Sequence, residues 1–535
     1  MKRIIFLFVI YIIISTTSFG QEALKRSFNE ATRFLFFENY GEALKYLSIA
    51  YKSEPDNANV NHLIGLCIIN SPIHKEKAIP YLLKAVKNIT PEYEKESYKE
   101  KRAPIEAYLY LGQAYHYNYQ FDKAIAAFNK YKELLPDNSE EKLEKAKHYL
   151  YWCMNAKEMM RDSAEIKITN IAEVNTKFDE HTPVISSDET VMIFTSRRPG
   201  STGNIRTDDG RFFEDIYISK KENEKWGVPV KISENINSNG HEATIALSAD
   251  GKELFIYKDD YGVGNIYSSK LEGNNIWSKP QKLGSNVNTS SNETHATITS
   301  DINTLVFVSD RKEGYGKTDL YIVRCLPNNE WGFAQNIGNV VNTKYEEEGA
   351  FIHQDGTFLF FSSKGHNSMG GFDLFYSELQ DDSTWSEPTN LGYPINTTGD
   401  DVFYVLSSDG KRAYYSSLKE GGMGGRDIYQ MDLLSLPERS STVIMGYIRL
   451  AGTKKIQKEV TVTVLDLKTD KVYGIYRPNK TTGLLTMILR QGKEYRIMLE
   501  VEGRSFKEDR LVVPGNSSLF ETNDPILIET IGTVD

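Results

Sequence analysis

Five acids stand at matched points of a repeated pattern. Glu180, Glu242, Glu293, Glu347 and Asp401 each lie eight residues before a turn aspartate: Asp188, Asp250, Asp301, Asp355 and Asp409. Carboxylates repeated in this way can serve either of two ends. Gathered at a common opening, they concentrate negative potential and favour a cation or a basic peptide segment. Drawn instead to backbone N–H groups of the adjoining unit, they hold unit to unit, which is what a feature present in every unit usually does. The pattern places the five acids as a ring at a channel mouth, where they are the candidate binding residues.

Other chemistry is sparse. No G-x-S-x-G elbow activates a serine, since Ser368 before Met369-Gly370 belongs to a repeated loop. His241-Glu242 leads into a strand without a second histidine at helical spacing, so no H-E-x-x-H zinc site forms. The stretch 314–318, GYGKT, lacks the spacing of a phosphate loop. The chain is therefore expected not to be an enzyme and to use no cofactor. A glycosidase pair of carboxylates stays open at this point, because carboxylate separation is a three-dimensional quantity.

The elements that must position the acids recur with them. Trp226, Trp277, Trp331 and Trp385 follow one another at intervals of roughly 50 residues, a period that in β-type sequence points to propeller blades. Each unit runs through a strand, an Asp-Gly or polar turn, an apolar strand, a glycine-rich loop and a third strand such as DIYIS, DLYIV or DIYQM. Asp and Gly supply the φ values that a tight hairpin requires. Five turns count five blades. The fifth unit stops after DIYQMDLL, while a repeat tail, ITNIAEVNTKFDE, stands ahead of the first whole unit. An open ring leaves unpaired strand edges. Residues 166–175 are thus expected to supply the outer strand of the last blade and close the circle.

The turn S-x-D-G-K and the strand start G-G-x-D-[IL]-[YF], as in SMGGFDLFY and GMGGRDIYQ, resemble the WD-like propeller repeats of periplasmic proteins that include the TolB family. Before them, from Glu22 to about Asp162, apolar residues recur at three and four. Tyr108, Leu111, Gly112, Tyr115, Ala124, Phe128 and Pro136 stand where the tetratricopeptide signature has its Trp, Leu, Gly, Tyr, Ala, Phe and Pro. Such arrays generally bind peptides or partner proteins. After the ring, VTVTVLDL and YRIMLEVEG alternate as the strands of a small antiparallel sandwich. Its Gly446-Tyr447-Ile448, Thr482-Gly483-Leu484 and Gly492-Lys493-Glu494-Tyr495 resemble the carboxypeptidase regulatory-like, transthyretin-type domain.

The start gives an address. Lys2 and Arg3, the apolar run Ile4 to Ile14 and the small-residue site Ser18-Phe19-Gly20 have the parts of a secretory signal peptide. A net charge of −10 over 535 residues argues against nucleic-acid binding, which needs clustered Lys and Arg. Cys67, Cys153 and Cys325 form no C-x-x-C pair and read as small buried hydrophobes.

The fold class is multidomain α plus all-β: signal peptide at 1–20, tetratricopeptide array at 21–163, five-bladed propeller at 164–436 and transthyretin-like sandwich at 441–535. This order resembles periplasmic proteins of Bacteroidota associated with the outer membrane and type IX secretion. The resemblance implies a non-catalytic scaffold whose partners are envelope or secretion-complex proteins, associated with the outer membrane without a spanning segment. The alternative is a glycan-binding or glycan-degrading propeller. Those relatives continue into an OmpA-like domain that has no counterpart before Asp535, so direct peptidoglycan binding is not expected.

Overall fold

The computed structural model describes residues 21–22, 24–72, 74–272, 276–326, 328, 330–353, 356–380, 383–408, 410–419, 421–433, 441–450, 459–478, 483–514, 519–521 and 526–528. The signal-peptide segment, Asp355, Asp409 and Thr482 lie outside them. The chain divides into two compact units, residues 1–162 with 205–212, and residues 163–204 with 213–535. Among the described residues no helix is long and apolar enough to cross a membrane.

The first unit is helical. After helical residues 24–36 come Tyr40–Ser53, Ala58–Ile69, Ile79–Ala85, Glu106–Tyr117, Phe121–Leu134 and Glu140–Met159. Asn39 and Asn57 open two of these by accepting from the backbone N–H of Glu42 and Val60, three residues on. Small residues set how closely the helices approach. A Cβ on Gly65 would lie 2.4 Å from Leu82, and one on Gly112 2.4 Å from the Phe128 ring. Ala31, Ala43, Leu47, Ala50, Ile64 and Leu82 fill the resulting core. Cys67 and Cys153 are buried free thiols, and Cys325 is half-buried.

The second unit opens with five antiparallel sheets of the same design. Their innermost strands are Glu180–Ile185, Glu242–Leu247, Glu293–Ile298, Glu347–Ile352 and Asp401–Leu406. Each packs on the next, and the fifth packs on the first, so the sheets form a closed ring. The outermost strand of the fifth sheet is Lys167–Asn170, which pairs antiparallel with Asp427–Asp432. The strand that precedes the ring in sequence thus completes its last sheet.

One side chain makes this pairing equivalent to the other four. Asn175 accepts from Ile428 N and donates to Ile428 O, both at 2.8 Å. Asn237, Asn288, Asn342 and Asn396 make the same two bonds to Ile216, Ile266, Leu320 and Leu374. The amide presents a donor and an acceptor at the spacing of a backbone residue and extends the outer edge where the fourth strand, two residues long in several sheets, runs out. The hairpin turns repeat too. Asp188, Asp250 and Asp301 each accept from a hydroxyl two residues before and from a backbone N–H two residues after. The residue after the aspartate has positive φ: Glu189 (54°), Gly251 (68°), Ile302 (60°), Gly356 (74°) and Gly410 (70°), so glycine is favoured there. Glu189, tolerating that conformation, pairs with Arg412 across the junction of the first and fifth sheets.

Beyond the ring, two four-stranded sheets enclose a core of Ile444, Val462, Val464, Tyr476, Leu489 and Tyr495. One departs from the antiparallel expectation. Ser441–Leu450 pairs antiparallel with Leu484–Arg490 but parallel with Leu519–Glu521 and Ile526–Ile528. The alternating pattern fixes which face of a strand is buried but not the direction of its neighbour.

Candidate functional site

The five acids are fully buried, between 0% and 1% exposed. Glu180 accepts from Thr176 N (2.6 Å), Thr176 Oγ1 (2.9 Å), Ser196 Oγ (2.6 Å) and Arg198 Nη2 (3.2 Å). Glu293 has the same set from Thr289, Ser309 and Arg311, Glu347 from Thr343 and Ser363, and Asp401 from Thr397 and Ser417. Glu242 uses Ser238 and, in place of the second-strand serine, Lys258 Nζ at 2.7 Å. In each case the donor four residues earlier follows the outer strand of the preceding sheet. The acids therefore clamp one sheet to the next, and their oxygens are already taken up. The expected binding ring of Glu180, Glu242, Glu293, Glu347 and Asp401 at an open mouth is corrected accordingly. Burial pushes the Glu347 carboxyl up to about 7 and that of Asp401 to about 6, and raises that of Glu180.

The mouth is built by the residues next to the acids. Where the acid is constant, the following two positions vary: His181-Thr182, Ala243-Thr244, Thr294-His295, Glu348-Gly349 and Val402-Phe403. The inner strands bulge here, with register breaks at His181/Val184, Glu293/Ala296, Glu348/Phe351 and Val402/Val405. A bulge re-aims side chains. Thr182 (φ 49°), Phe403 (φ 61°) and Gly349 (φ 58°) adopt left-handed backbone, which is costly for a β-branched or bulky residue. Phe403 of the fifth sheet stacks on His295 of the third, ring centroids 4.5 Å apart, and lies 5.8 Å from His181 of the first. These sheets are not all neighbours, so the contacts cross the centre and Phe403 closes the channel. A Cβ on Gly349 would come within 3.0 Å of Phe403 N and 3.1 Å of its ring, so glycine makes room for the plug.

Two carboxylates border the residues that hold the plug, Glu214 at His181 and Glu348 next to Gly349, in opposite surroundings. Glu214 accepts from Arg197 Nε (3.0 Å) and Nη2 (2.7 Å), lies 3.1 Å from His241 Nδ1, and lies 3.4 Å from His181 Nε2. Burial works against its charge, but the Arg197 guanidinium and the two imidazoles prevail and hold the carboxyl well below the usual range. Glu348 accepts from Thr294 Oγ1, at 3.4 and 3.5 Å from its oxygens, and from Gly349 N, with the Lys364 charge nearby. Burial pushes its carboxyl up to about 7. Tyr257 feels both, its hydroxyl raised to about 12 by burial and by the charges of Asp259, Glu214, Asp260 and Glu348. Around them run Glu346 with Lys317 and Lys364, Asp400 with Arg426, and Phe372 beneath Lys364. One carboxylate held ionised and one held near neutrality is the arrangement that separates a base from an acid. Among the described residues no group of three or more His, Cys, Asp and Glu stands ready to hold a metal ion.

His181, Glu214, His295, Glu348 and Phe403 escape a search for repeated residues because none of them repeats. Aligning the five units column by column, and reading the columns that vary beside the constant acid, would have found four of them.

No protein-family model matches the chain, and no curated protein does. Similar solved structures include TolB from Acinetobacter baumannii, 14% identical over 48% of this chain and 54% of its own, with a TM-score of 0.30. A putative TolB from Agrobacterium tumefaciens is 13% identical over 61% of this chain and 97% of its own, with a TM-score of 0.30. The catalytic domain of a GH62 α-L-arabinofuranosidase from Coprinopsis cinerea is 10% identical over 50% and 96%, with a TM-score of 0.34. This chain spans about half the length of the Acinetobacter protein. The expectation that the chain is not an enzyme is corrected here. A catalytic domain stands among the similar structures, and the missing motifs are no ground for exclusion, because paired carboxylates need no contiguous signature.

Proposed function

We propose that the chain is an exported envelope protein of three modules, a tetratricopeptide array at 21–163, a five-bladed TolB-like propeller at 164–436 closed by strand 166–175, and a transthyretin-like sandwich at 441–535. It works in the periplasm at the outer membrane, where its ring and helices hold partner proteins of an outer-membrane or type IX secretion complex. The observation that supports this is the mouth of the ring. Its centre is closed by Phe403, and its rim carries the ion pairs Glu346–Lys317 and Asp400–Arg426 beside Phe372. An aromatic centre inside a polar, charged rim is how protein interfaces are built. The test is crosslinked capture from cells, comparing the natural chain with a Lys317→Glu/Arg426→Glu variant. An envelope protein recovered by the first and lost by the second supports the reading, and identical partner lists sink it.

A second reading is favoured by one specific observation, the opposed surroundings of Glu214 and Glu348 beside Tyr257. In it the mouth acts on a glycan, with Glu348 as proton donor and Glu214 as the ionised partner. Release of reducing sugar from arabinoxylan that is abolished by Glu348→Gln would establish it, and no release at any pH between 5 and 8 would remove it.

A further inference from the structure

Glu348 departs from the repeat. The residue after the clamping acid is His181, Ala243, Thr294 or Val402 in the other four units, and a carboxylate in the fourth alone. A group found in one unit answers no need that all five share. Its neighbour shows the contrast. Glu347 is fully buried and accepts from Thr343 N at 2.9 Å, Thr343 Oγ1 at 2.7 Å and Ser363 Oγ at 2.7 Å. Glu348 is half-buried and takes a bond from Gly349 N, and among the described residues its side-chain donor is Thr294 Oγ1 at 3.4 and 3.5 Å. Those distances are longer than an ordinary O–H···O hydrogen bond.

The cations of the mouth are engaged elsewhere. Arg197 lies 2.7 Å from Glu214, Lys258 2.7 Å from Glu242, Lys317 2.9 Å from Glu346 and Arg426 3.0 Å from Asp400. Lys364 pairs with Glu346 and covers the Phe372 ring. Among the described residues none of these comes within ion-pair distance of Glu348, which is the carboxylate left over. The charged and titratable groups that act on it are Lys364 and Glu346 of its own sheet and Tyr257 of the second. His295 of the third stacks on Phe403, and burial holds its imidazole down to about 3, so it supplies no charge. A carboxyl in this position is costly to ionise until a cation arrives, and the cation's arrival offsets that cost. A metal ion would need several more ligands than one carboxylate and one hydroxyl, and the described residues supply no such group. An ammonium or guanidinium needs a single carboxylate, and its apolar stem can lie along aromatic rings such as Phe403, which packs against Gly349.

Resting on the reading of the mouth as a protein interface, we propose that a lysine or arginine side chain of the partner protein enters the mouth and pairs with Glu348. The probes are the blocked peptides acetyl-GGKGG-amide and acetyl-GGRGG-amide, with acetyl-GGQGG-amide as the uncharged control. Each is titrated against the full chain and followed by saturation-transfer NMR. At least one charged peptide should bind saturably, and the glutamine peptide at least about tenfold more weakly. Glu348→Gln keeps the shape of the side chain and should weaken the charged peptide by about tenfold or more, the worth of one charge-assisted hydrogen bond. The carboxylate holds the cation and the carboxylic acid does not. With the Glu348 carboxyl near 7, affinity should therefore rise about tenfold from pH 6 to pH 8 in the natural chain and stay level in Glu348→Gln. Absence of saturable binding below about 10 mM peptide in a chain whose circular dichroism is native would overturn the proposal. So would equal binding of the three peptides, or an affinity that Glu348→Gln leaves unchanged. The interface reading falls by a different result, identical captured partners for the natural chain and Lys317→Glu/Arg426→Glu, so the two can fail separately.

Discussion

Replacing Asn175 by alanine examines how the ring is held shut. The side chain satisfies Ile428 N and Ile428 O at 2.8 Å each and donates to Asn170 Oδ1 at 3.0 Å. Alanine leaves the buried Ile428 N–H without a partner while Ile428 O keeps its bond from Ile171 N at 3.2 Å, so a loss of about 1–3 kcal/mol is expected. Asn342→Ala removes the same pair from Leu320, at 2.8 and 3.0 Å. The two variants differ in what remains. In the third sheet the chain runs on directly into the next sheet, whereas the fifth sheet is joined to Lys167–Asn170 by noncovalent pairing alone. Urea unfolding should therefore show similar losses for both. Native-state hydrogen exchange should separate them. Amides of Asp427–Asp432 should exchange roughly 5- to 150-fold faster in Asn175→Ala, the equivalent of about 1–3 kcal/mol, and keep their natural rate in Asn342→Ala. Equal acceleration in the two sheets, or none at 427–432, would refute the view that the junction is the weak point of the circle.

Other outcomes follow from single residues. Glu347 has its carboxyl raised to about 7 against an ordinary 4.5. The folded state therefore binds the proton more tightly, and this stabilisation is full below about pH 4.5 and lost as pH rises through 7. Glu347→Gln should remove that stretch of the pH–stability curve, worth at most about 3 kcal/mol, and an unchanged curve by thermal denaturation between pH 4.5 and 8 would count against it. Gly349→Ala should cost about 1–3 kcal/mol through positive φ and the approach to Phe403, with the His295–Phe403 stacking disturbed in ring-proton NMR shifts. Gly112→Ala drives a methyl into Phe128 and should lower the melting of the helical signal by circular dichroism, at about 1–3 kcal/mol. Deleting residues 166–175 should open the ring while limited proteolysis still finds residues 24–159 protected.

Much of the scaffold can be seen in the sequence because its working parts repeat. The turn aspartates, the strand starts and the acids stand in register, and the tail ahead of the first unit matches the piece missing from the last. The same regularity hides the acids' role. Glu180 and its counterparts look like a site because they repeat, yet Thr176, Ser196 and their equivalents consume their oxygens. What distinguishes one unit from another, His181, Glu348 or Phe403, shows only in the columns that vary beside the repeated acid, and the meeting of Phe403 with His295 across the centre depends on backbone bulges that no pattern of residue types records. Direction is equally silent: the parallel pairing of Ser441–Leu450 with Leu519–Glu521 looks in sequence like any other strand.

Asn170 meets Asp427 257 residues later. A chain delivered from its N-terminus must therefore carry Lys167–Asn170 as an unmated edge until nearly the whole ring has emerged. For that interval every completed sheet waits on the last, and the half-built circle offers a sticky strand at each end. The order of the chain thus makes assembly all-or-none in time, and it sets a moment, just before Asp427–Asp432 appears, when a holding chaperone would protect this protein most.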